Sequence, residues 1–297
     1  MSTQRTLNDW LLLFALVAMW GSSFMFNGIA VSSLPPLLIV AGRVGVAAIV
    51  LTIFVYASGR RLPAPGWNWW PFLVVALIGN AIPFYLITWG QQVVESALAG
   101  ILMAFMPLST IVLAHFLIAG EHLTRQRLAG FAAGFCGIVL LMGPAALAGI
   151  GGDAVRVISQ LSVLGGAFCY ALQSVLTRLI IKGDVLVAAA ATLLLASLIV
   201  VPLALWQVPL STLTPRWQSV AAVAWLGVVP TAIATVLYFQ LIRSAGPSFM
   251  SLVNYLSPSV AVLLGLLIMG EHPSPNAYMG LALILIGIAV ANRRRSP

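Results

Sequence analysis

One motif in the middle of the chain occurs a second time, 150 positions later. Both copies contain a glycine, a glutamate, a histidine and two spaced glycines: Gly120, Glu121, His122, Gly130 and Gly137 in the first, and Gly270, Glu271, His272, Gly280 and Gly287 in the second. Each copy lies at a short connection between two long apolar stretches, and a proline precedes it, Pro107 or Pro258. The chain therefore consists of two related halves. A duplicated, wholly apolar bundle is typical of membrane transporters.

The composition excludes a soluble domain. Hydrophobic residues make up 61% of the chain and charged residues 7%, and the mean hydropathy is +1.08. This leaves too little polar surface for a soluble globule. A helix needs about 20 apolar residues to cross a bilayer, and the chain contains ten such runs, near Trp10 to Val31, Pro36 to Ala57, Trp70 to Gln91, Ala97 to Ala119, Arg127 to Leu147, Leu161 to Ile181, Val185 to Trp206, Trp217 to Ile242, Pro247 to Met269 and Ala277 to Ala291.

The distribution of basic residues predicts the orientation of these helices. If the N-terminus is cytoplasmic, eleven of the fourteen basic residues lie on the inner side, and the outer loops carry only Arg156 and Arg216. The positive-inside rule therefore places both termini in the cytoplasm. The net charge of +8 then reflects membrane topology. We expect no nucleic-acid partner, because no soluble domain is present to gather the arginines on one face.

The orientation and the repeat together predict an inverted architecture. Five spans separate the two copies of the motif, and an odd number of crossings reverses the direction of the second half. We therefore expect an all-α integral membrane protein of ten transmembrane helices, built as two inverted five-helix repeats over residues 1–147 and 161–297 and joined by a linker over residues 148–160. Such repeats place a binding site near the bilayer midplane, and rocking of the halves exposes it to either side in turn.

Matched prolines occur in equivalent helices of the two halves. Pro83 in the third span corresponds to Pro230 in the eighth, and Pro107 in the fourth corresponds to Pro258 in the ninth. Each proline removes a backbone hydrogen bond and kinks its helix. We interpret the four as hinges, because they come in pairs. The alternative is that prolines are simply common in membrane helices.

These features resemble a known transporter family. In each half a proline-bearing helix, a Gly-Glu turn and a Gly-spaced final helix follow one another, and the first span carries Trp20-Gly21-Ser22-Ser23-Phe24. In this arrangement essentially the whole chain resembles the EamA type of the drug/metabolite transporter superfamily. The resemblance implies export of small organic metabolites across the bacterial inner membrane. It is greatest toward exporters of aromatic and other amino acids.

One charged residue lies deep in an apolar run. Arg43 is about 10 Å below the outer end of the second span, at 1.5 Å per residue. An intramembrane arginine is by default a candidate for function, and its planar fork suits a substrate carboxylate. Two alternatives remain open. Arg43 either extends outward to the membrane surface or forms a structural ion pair with Glu95.

Other polar and aromatic residues within the spans are candidates for a substrate pocket. Trp20 and Tyr170 occupy equivalent positions in the two halves, and each is followed three residues later by a polar side chain on the same helical face, Ser23 or Gln173. The remaining candidates are Asn27, Asn80, Tyr85, Trp89, Tyr238, Asn254 and Tyr255. Buried amides and phenols need partners in lipid, which favours an inward-facing cavity. Each of them can instead join helices through hydrogen bonds.

Other functions are less well supported by the sequence. We interpret the Gly-Glu-His turns as structural, with a carboxylate that favours the start of the next helix. No acidic residue lies at the centre of a span, which argues against proton-coupled export of cationic drugs. No phosphate-binding loop, metal motif or nucleophile spacing is present, so we expect no cofactor, no metal and no enzyme activity. The expected cargo is a neutral or zwitterionic metabolite, above all an amino acid, moved by facilitated diffusion or exchange by a monomer in the lipid. A nucleoside or nucleotide-sugar carrier, a proton-coupled drug exporter and a passive channel are the alternatives.

Overall fold

The structure is a computed structural model that describes residues 6–64, 66–119, 123–142, 154–245, 247–250 and 252–292. Every regular element in these residues is helical. The first half contains α1 Leu7–Val31, α2 Pro36–Ala57, α3 Trp70–Ala76, α4 Ile82–Gly90, α5 Ser96–Met103, α6 Phe105–Leu117 and α7 Arg125–Met142. The second half contains α8 Ala154–Ile180, α9 Val185–Gln207, α10 Trp217–Gly227, α11 Ala234–Ala245, α12 Pro247–Met250, α13 Leu252–Leu267 and α14 Pro275–Asn292. Two π-helical turns, Leu77–Ala81 and Val228–Ile233, join α3 to α4 and α10 to α11.

Many of these helices are long and apolar enough to cross a membrane. Seven segments in the described part of the chain meet that criterion: Leu7–Val31, Pro36–Ala57, Trp67–Gly90, Ser96–Leu117, Ala154–Ile180, Val185–Gln207 and Trp217–Ala245. Two shorter apolar helices, Leu252–Leu267 and Pro275–Ala291, lie near the C-terminus. The protein is therefore an all-α integral membrane protein, as the composition predicts.

The start of the sixth span differs most from the sequence prediction. The predicted end of the fifth span at Leu147 lies outside the described residues, in which α7 is seen as far as Met142. The linker was expected to continue to residue 160, whereas α8 begins at Ala154. The Gly-rich stretch Ala148 to Gly152 was expected to continue as a loop to Gln160, but the structure places Ser159 and Gln160 in α8 and buries both of them. The backbone of Ser159 packs directly on Gly90 of α4, so this part of α8 lies against the first half.

Hydrogen bonds from side chains define where two of the helices begin. At α1, the Thr6 hydroxyl accepts from the Asp9 amide at 3.2 Å and the Asp9 carboxylate accepts from the Thr6 amide at 3.0 Å. At α9, the Asp184 carboxylate accepts from the amide of Leu186 at 2.9 Å. Both arrangements satisfy amides that the first turn of a helix leaves without partners.

Helices in equivalent positions of the two halves make equivalent contacts. The helix α2 packs against α9, and α7 packs against α14. The helix α1 packs against α10, α11 and α13, while its counterpart α8 packs against α4, α5 and α6. The duplication seen in the sequence is therefore repeated in the packing.

Repeated glycines bring α7 and α14 into direct backbone contact. A Cβ atom on Gly137 would lie 2.7 Å from the carbonyl oxygen of Gly280, and one on Gly130 would meet the carbonyl oxygen of Gly287. Gly130, the earlier glycine of α7, thus meets Gly287, the later glycine of α14, and Gly137 meets the earlier Gly280. The two helices are therefore antiparallel. The spaced glycines of the motif have a packing role, because only glycine allows this approach.

Candidate functional site

The two π-helical turns lie at equivalent positions, in the third and the eighth apolar segments. In each turn a polar side chain donates to the carbonyl oxygen five residues earlier. The Asn80 amide nitrogen contacts the Val75 oxygen at 3.5 Å, and the Thr231 hydroxyl contacts the Leu226 oxygen at 2.7 Å. A π-helical turn interrupts the regular hydrogen-bond ladder, and such turns are frequent at functional sites. These turns are the structural centre of the candidate site.

The prolines that were predicted as hinges lie at or near breaks in three of four cases. Pro230 belongs to the second π-helical turn, and Pro83 is the second residue of α4, directly after the first. Pro107 follows the interruption at Ala104 that separates α5 from α6. Pro258 lies inside the continuous helix α13. Their role as hinges remains a proposal.

The side chain of Arg43 reaches from α2 to both of these regions. Its Nε donates to the Thr231 hydroxyl oxygen at 2.9 Å, and its guanidinium carbon lies 3.8 Å from the centre of the Phe84 ring. The Thr231 hydroxyl can accept this bond because its own proton is used on the Leu226 carbonyl. Arg43 is thus held by a hydrogen bond from the second half and by a cation–π contact from the first.

Arg43 has no anionic partner among the described residues. The proposed strut to Glu95 is not formed. Glu95 is exposed, and the described part of the chain contains a single ion pair, between Arg60 and Asp184 at 3.0 Å. The two terminal Nη nitrogens make no hydrogen bond within the described residues, and Arg43 is partly exposed. They are therefore open to a ligand.

Aromatic rings from both halves lie beside the π-helical turns. Tyr170 of α8 lies edge-on to Phe84, with ring centres 6.2 Å apart, and Phe84 in turn contacts Arg43. Trp20 of α1 donates from Nε1 to the Pro230 carbonyl oxygen at 3.2 Å. The ring of Tyr238 lies 5.9 Å from that of Trp20. The predicted pair of equivalent aromatic residues, Trp20 and Tyr170, therefore does lie beside the two equivalent turns.

The predicted polar partners of Trp20 and Tyr170, Ser23 and Gln173, make different contacts. The Ser23 hydroxyl donates to the Trp20 carbonyl oxygen of its own helix at 2.6 Å. Gln173 packs on Gly79 beside the first π-helical turn, where a Cβ atom on the glycine would lie 2.6 Å from the Gln173 side chain. Gln173 thus borders the candidate site, while the hydroxyl of Ser23 is already used within α1.

Asn27 belongs to a separate buried network. Its amide nitrogen donates to Gln91 at 2.8 Å, its oxygen accepts from Thr88 at 3.1 Å, and Gln91 donates in turn to the Phe24 carbonyl at 3.0 Å. Asn27, Thr88 and Gln91 are each at most 5% exposed. Both ends of the Asn27 amide are therefore occupied by protein.

Of the remaining predicted site residues, Tyr85, Trp89 and Asn254 make no side-chain hydrogen bond within the described part of the chain. Tyr85 is 40% exposed, and Trp89 and Asn254 are partly exposed. The side chain of Tyr255 lies outside the described residues. Two important residues were missed by sequence reasoning, namely Phe84 and Thr231. Each directly follows one of the matched prolines, and that position was the available signal.

Glu271 connects the two halves at a second place. One carboxylate oxygen accepts from the Ser96 amide at 2.8 Å and the other accepts from the Ala97 amide at 2.7 Å. These are the first two amides of α5, and Gly270 permits the preceding turn with a φ of 64°. The carboxylate was expected to favour the start of the next helix. It instead caps a helix of the other half, because packing brings α5 and α13 together. Glu121 and His122 lie outside the described residues.

Comparison with known proteins identifies the family. The chain matches the EamA-like transporter family twice, over residues 9–143 and 157–293. It belongs to the EamA-like transporter family. Both halves of the chain are EamA repeats, as the resemblance in the motifs predicts.

Named relatives and a solved structure agree with this assignment. The chain is 29% identical to the uncharacterized inner membrane transporter YedA of Escherichia coli over 94% of this chain and 88% of that protein. It is 27% identical to a probable terminal-alkyne amino-acid exporter of Streptantibioticus cattleyicolor over 96% and 93%. A crystal structure with 22% identity matches its fold with a TM-score of 0.68 over 96% of this chain and 97% of that one.

The EamA membership and the helices define the general role of the protein. It is a multi-pass transporter of the bacterial inner membrane that moves small metabolites, and it is not an enzyme.

Proposed function

We propose that this EamA transporter exports amino acids, including aromatic ones, by alternating access, through facilitated diffusion or exchange. The observation that carries the proposal is Arg43. Its terminal nitrogens make no hydrogen bond within the described residues, the ring of Phe84 lies against it, and no described carboxylate pairs with it. A charge among apolar helices is costly to leave without a partner, and a ligand can supply one. The carboxylate of a small metabolite fits this position.

The proposed architecture comprises ten spans in two inverted units, residues 1–147 and 161–297, with both termini in the cytoplasm. The antiparallel contact of α7 with α14 supports it, because these helices carry the two copies of the repeated motif. Helices that correspond in the two halves but point in opposite directions are expected of an inverted repeat. The residues that join the units, 148–160, include the first turns of α8.

The proposed site lies between the halves at the two π-helical turns. Arg43 holds the carboxylate, while Trp20, Tyr170 and Tyr238 contact the side chain of the cargo. Asn80, Gln173, Tyr85, Trp89, Asn254 and Tyr255 complete the set of candidate contacts, with Ser23 and Asn27 supporting the first helix. The matched prolines Pro83, Pro107, Pro230 and Pro258 act as hinges when the halves move.

The name of one relative supports the cargo class, since it is a probable amino-acid exporter. A neutral or zwitterionic cargo is also favoured because no acidic residue lies at the centre of a helix that the structure describes, whereas a proton-coupled cation pump needs one there. Such a cargo moves down its own gradient, and a single copy of the chain is sufficient.

The test is uptake of labelled phenylalanine, leucine, lysine and glutamate into proteoliposomes, with and without an imposed pH gradient. We expect saturable uptake of the neutral amino acids without the gradient. Uptake that requires the gradient would contradict facilitated diffusion and support proton coupling. If folded protein takes up labelled nucleosides but no amino acid, the cargo proposal is wrong. Single-channel currents would contradict alternating access.

A further inference from the structure

We infer that the site recognises its cargo through the carboxylate and not through the ammonium group, so that monocarboxylates with an apolar tail bind at least as well as amino acids. This rests on the proposed function, because it concerns the same site around Arg43. The inference follows from which groups of the guanidinium are occupied and from where the acidic residues lie.

The guanidinium of Arg43 has one edge left for a ligand. Its Nε is used on Thr231, and one of its faces lies against the ring of Phe84. The two Nη nitrogens remain, and together they form the end-on edge of the fork. This edge can donate two parallel hydrogen bonds to the two oxygens of one carboxylate.

An ammonium group finds no equivalent partner in the described residues. Asp9 lies at the start of α1 and accepts from Thr6 and from Ser244. Glu271 caps α5, and Asp184 caps α9 and pairs with Arg60. Glu95 is exposed beside the start of α5. None of these four carboxylates forms an ion pair with Arg43.

The charge balance favours a monoanion over a zwitterion. A monocarboxylate neutralises the guanidinium when it binds. A zwitterion neutralises it with one end and brings a second cation close to it with the other, and the two cations repel each other. The rings of Trp20, Tyr170 and Tyr238 are suited to an apolar or aromatic tail.

The test compares four ligands that share one benzyl tail. Phenylalanine carries both charges, phenylpyruvate only the carboxylate, and phenethylamine and phenylalaninamide only the ammonium. Each competes with labelled phenylalanine for uptake, and its binding to purified protein is measured separately by tryptophan fluorescence. We expect phenylpyruvate to act at the concentration of phenylalanine or below it, and both ammonium compounds to require about 10-fold more or worse.

Each outcome has a defined meaning. If phenethylamine matches phenylalanine while phenylpyruvate is weak, the ammonium is the recognised group and the inference is wrong. If only phenylalanine binds, both charged groups are needed, and the inference is likewise wrong. If phenylpyruvate binds and is transported while no amino acid is, the amino-acid proposal fails and the inference stands. If none of the four ligands binds to folded protein, both are wrong.

Thr231 provides a second test, because it positions the guanidinium through Nε. We expect Thr231→Val to weaken phenylpyruvate about 5-fold and to leave phenylalaninamide unchanged. Thr231→Ser keeps the hydroxyl and is expected to restore the affinity for phenylpyruvate. Equal weakening of both ligands, or no rescue by serine, would contradict a positioning role. The ligand comparison on the unmodified protein decides the inference if Thr231→Val does not fold.

Discussion

Replacing Glu271 with glutamine removes a negative charge from the start of a helix in the other half of the protein. The carboxylate of Glu271 accepts from two amides, those of Ser96 and Ala97, at 2.8 and 2.7 Å. A glutamine side chain has one acceptor oxygen, so one of the two amides loses its partner. Ser96 is only 2% exposed and Ala97 is fully buried, so water does not replace the lost bond easily.

The size of the effect follows from these contacts. A hydrogen bond to a charged group contributes about 1.5–3 kcal/mol, and a negative charge at a helix start contributes about 0.3–1 kcal/mol more. We therefore expect Glu271→Gln to lower the free energy of unfolding by about 2–4 kcal/mol. For a chain of this size this corresponds to a fall of about 3–6 °C in the melting temperature.

The measurement is thermal unfolding of purified protein in detergent, followed by tryptophan fluorescence. Glu95→Gln is the matched control, because Glu95 is the residue before Ser96 and its side chain makes no cap hydrogen bond. The same charge is removed from almost the same place. If the two variants melt at the same temperature, the cross-half cap contributes nothing and the reasoning is refuted.

Three further predictions concern other contacts. Gly130→Ala is expected to destabilise the protein by about 1–3 kcal/mol in the same thermal assay, because the added methyl group meets the backbone of α14. The control is Gly45→Ala, which is expected to be neutral or slightly stabilising because the nearest neighbour of its methyl group would be 3.7 Å away. Asn27→Leu is expected to cost about 1–3 kcal/mol by leaving its hydrogen-bond partners unsatisfied; an unchanged melting temperature with lost substrate binding would show instead that Asn27 contacts the cargo. Asp184→Ala is expected to lower the free energy of unfolding by about 1 kcal/mol, because it removes the cap of α9. Arg60→Ala is expected to lower it clearly less, because the ion pair between Arg60 and Asp184 is partly exposed. Equal losses of stability in the two variants would contradict this order.

Local features of the chain were predictable to within a few residues in most cases. The second span was expected at Pro36 to Ala57, and α2 has the same bounds. The seventh span was expected to begin at Val185, where α9 begins after the cap at Asp184. Apolar runs, charges and prolines act on the residues around them, so the sequence contains the information that places these helices. The repeat of the motif likewise predicted the family, which the comparisons confirm.

The candidate site was only partly predictable. Arg43, Trp20 and Tyr170 stand out because they are polar or aromatic residues in apolar spans. Phe84 and Thr231 offer only the weaker signal of directly following a matched proline, since a phenylalanine and a threonine are ordinary in membrane helices. Their importance comes from their contacts with Arg43 on a different helix.

The sequence by itself determined that this protein is a duplicated helical membrane transporter, because hydropathy and repetition are properties of the linear chain. The tertiary structure alone decided that Glu271 caps α5, that Asn27 is joined to Gln91 and that Thr231 holds Arg43. These partners are 175, 64 and 188 positions apart. Which side chains meet across such distances depends on the rotation and register with which helices pack, and no local pattern in the chain specifies either.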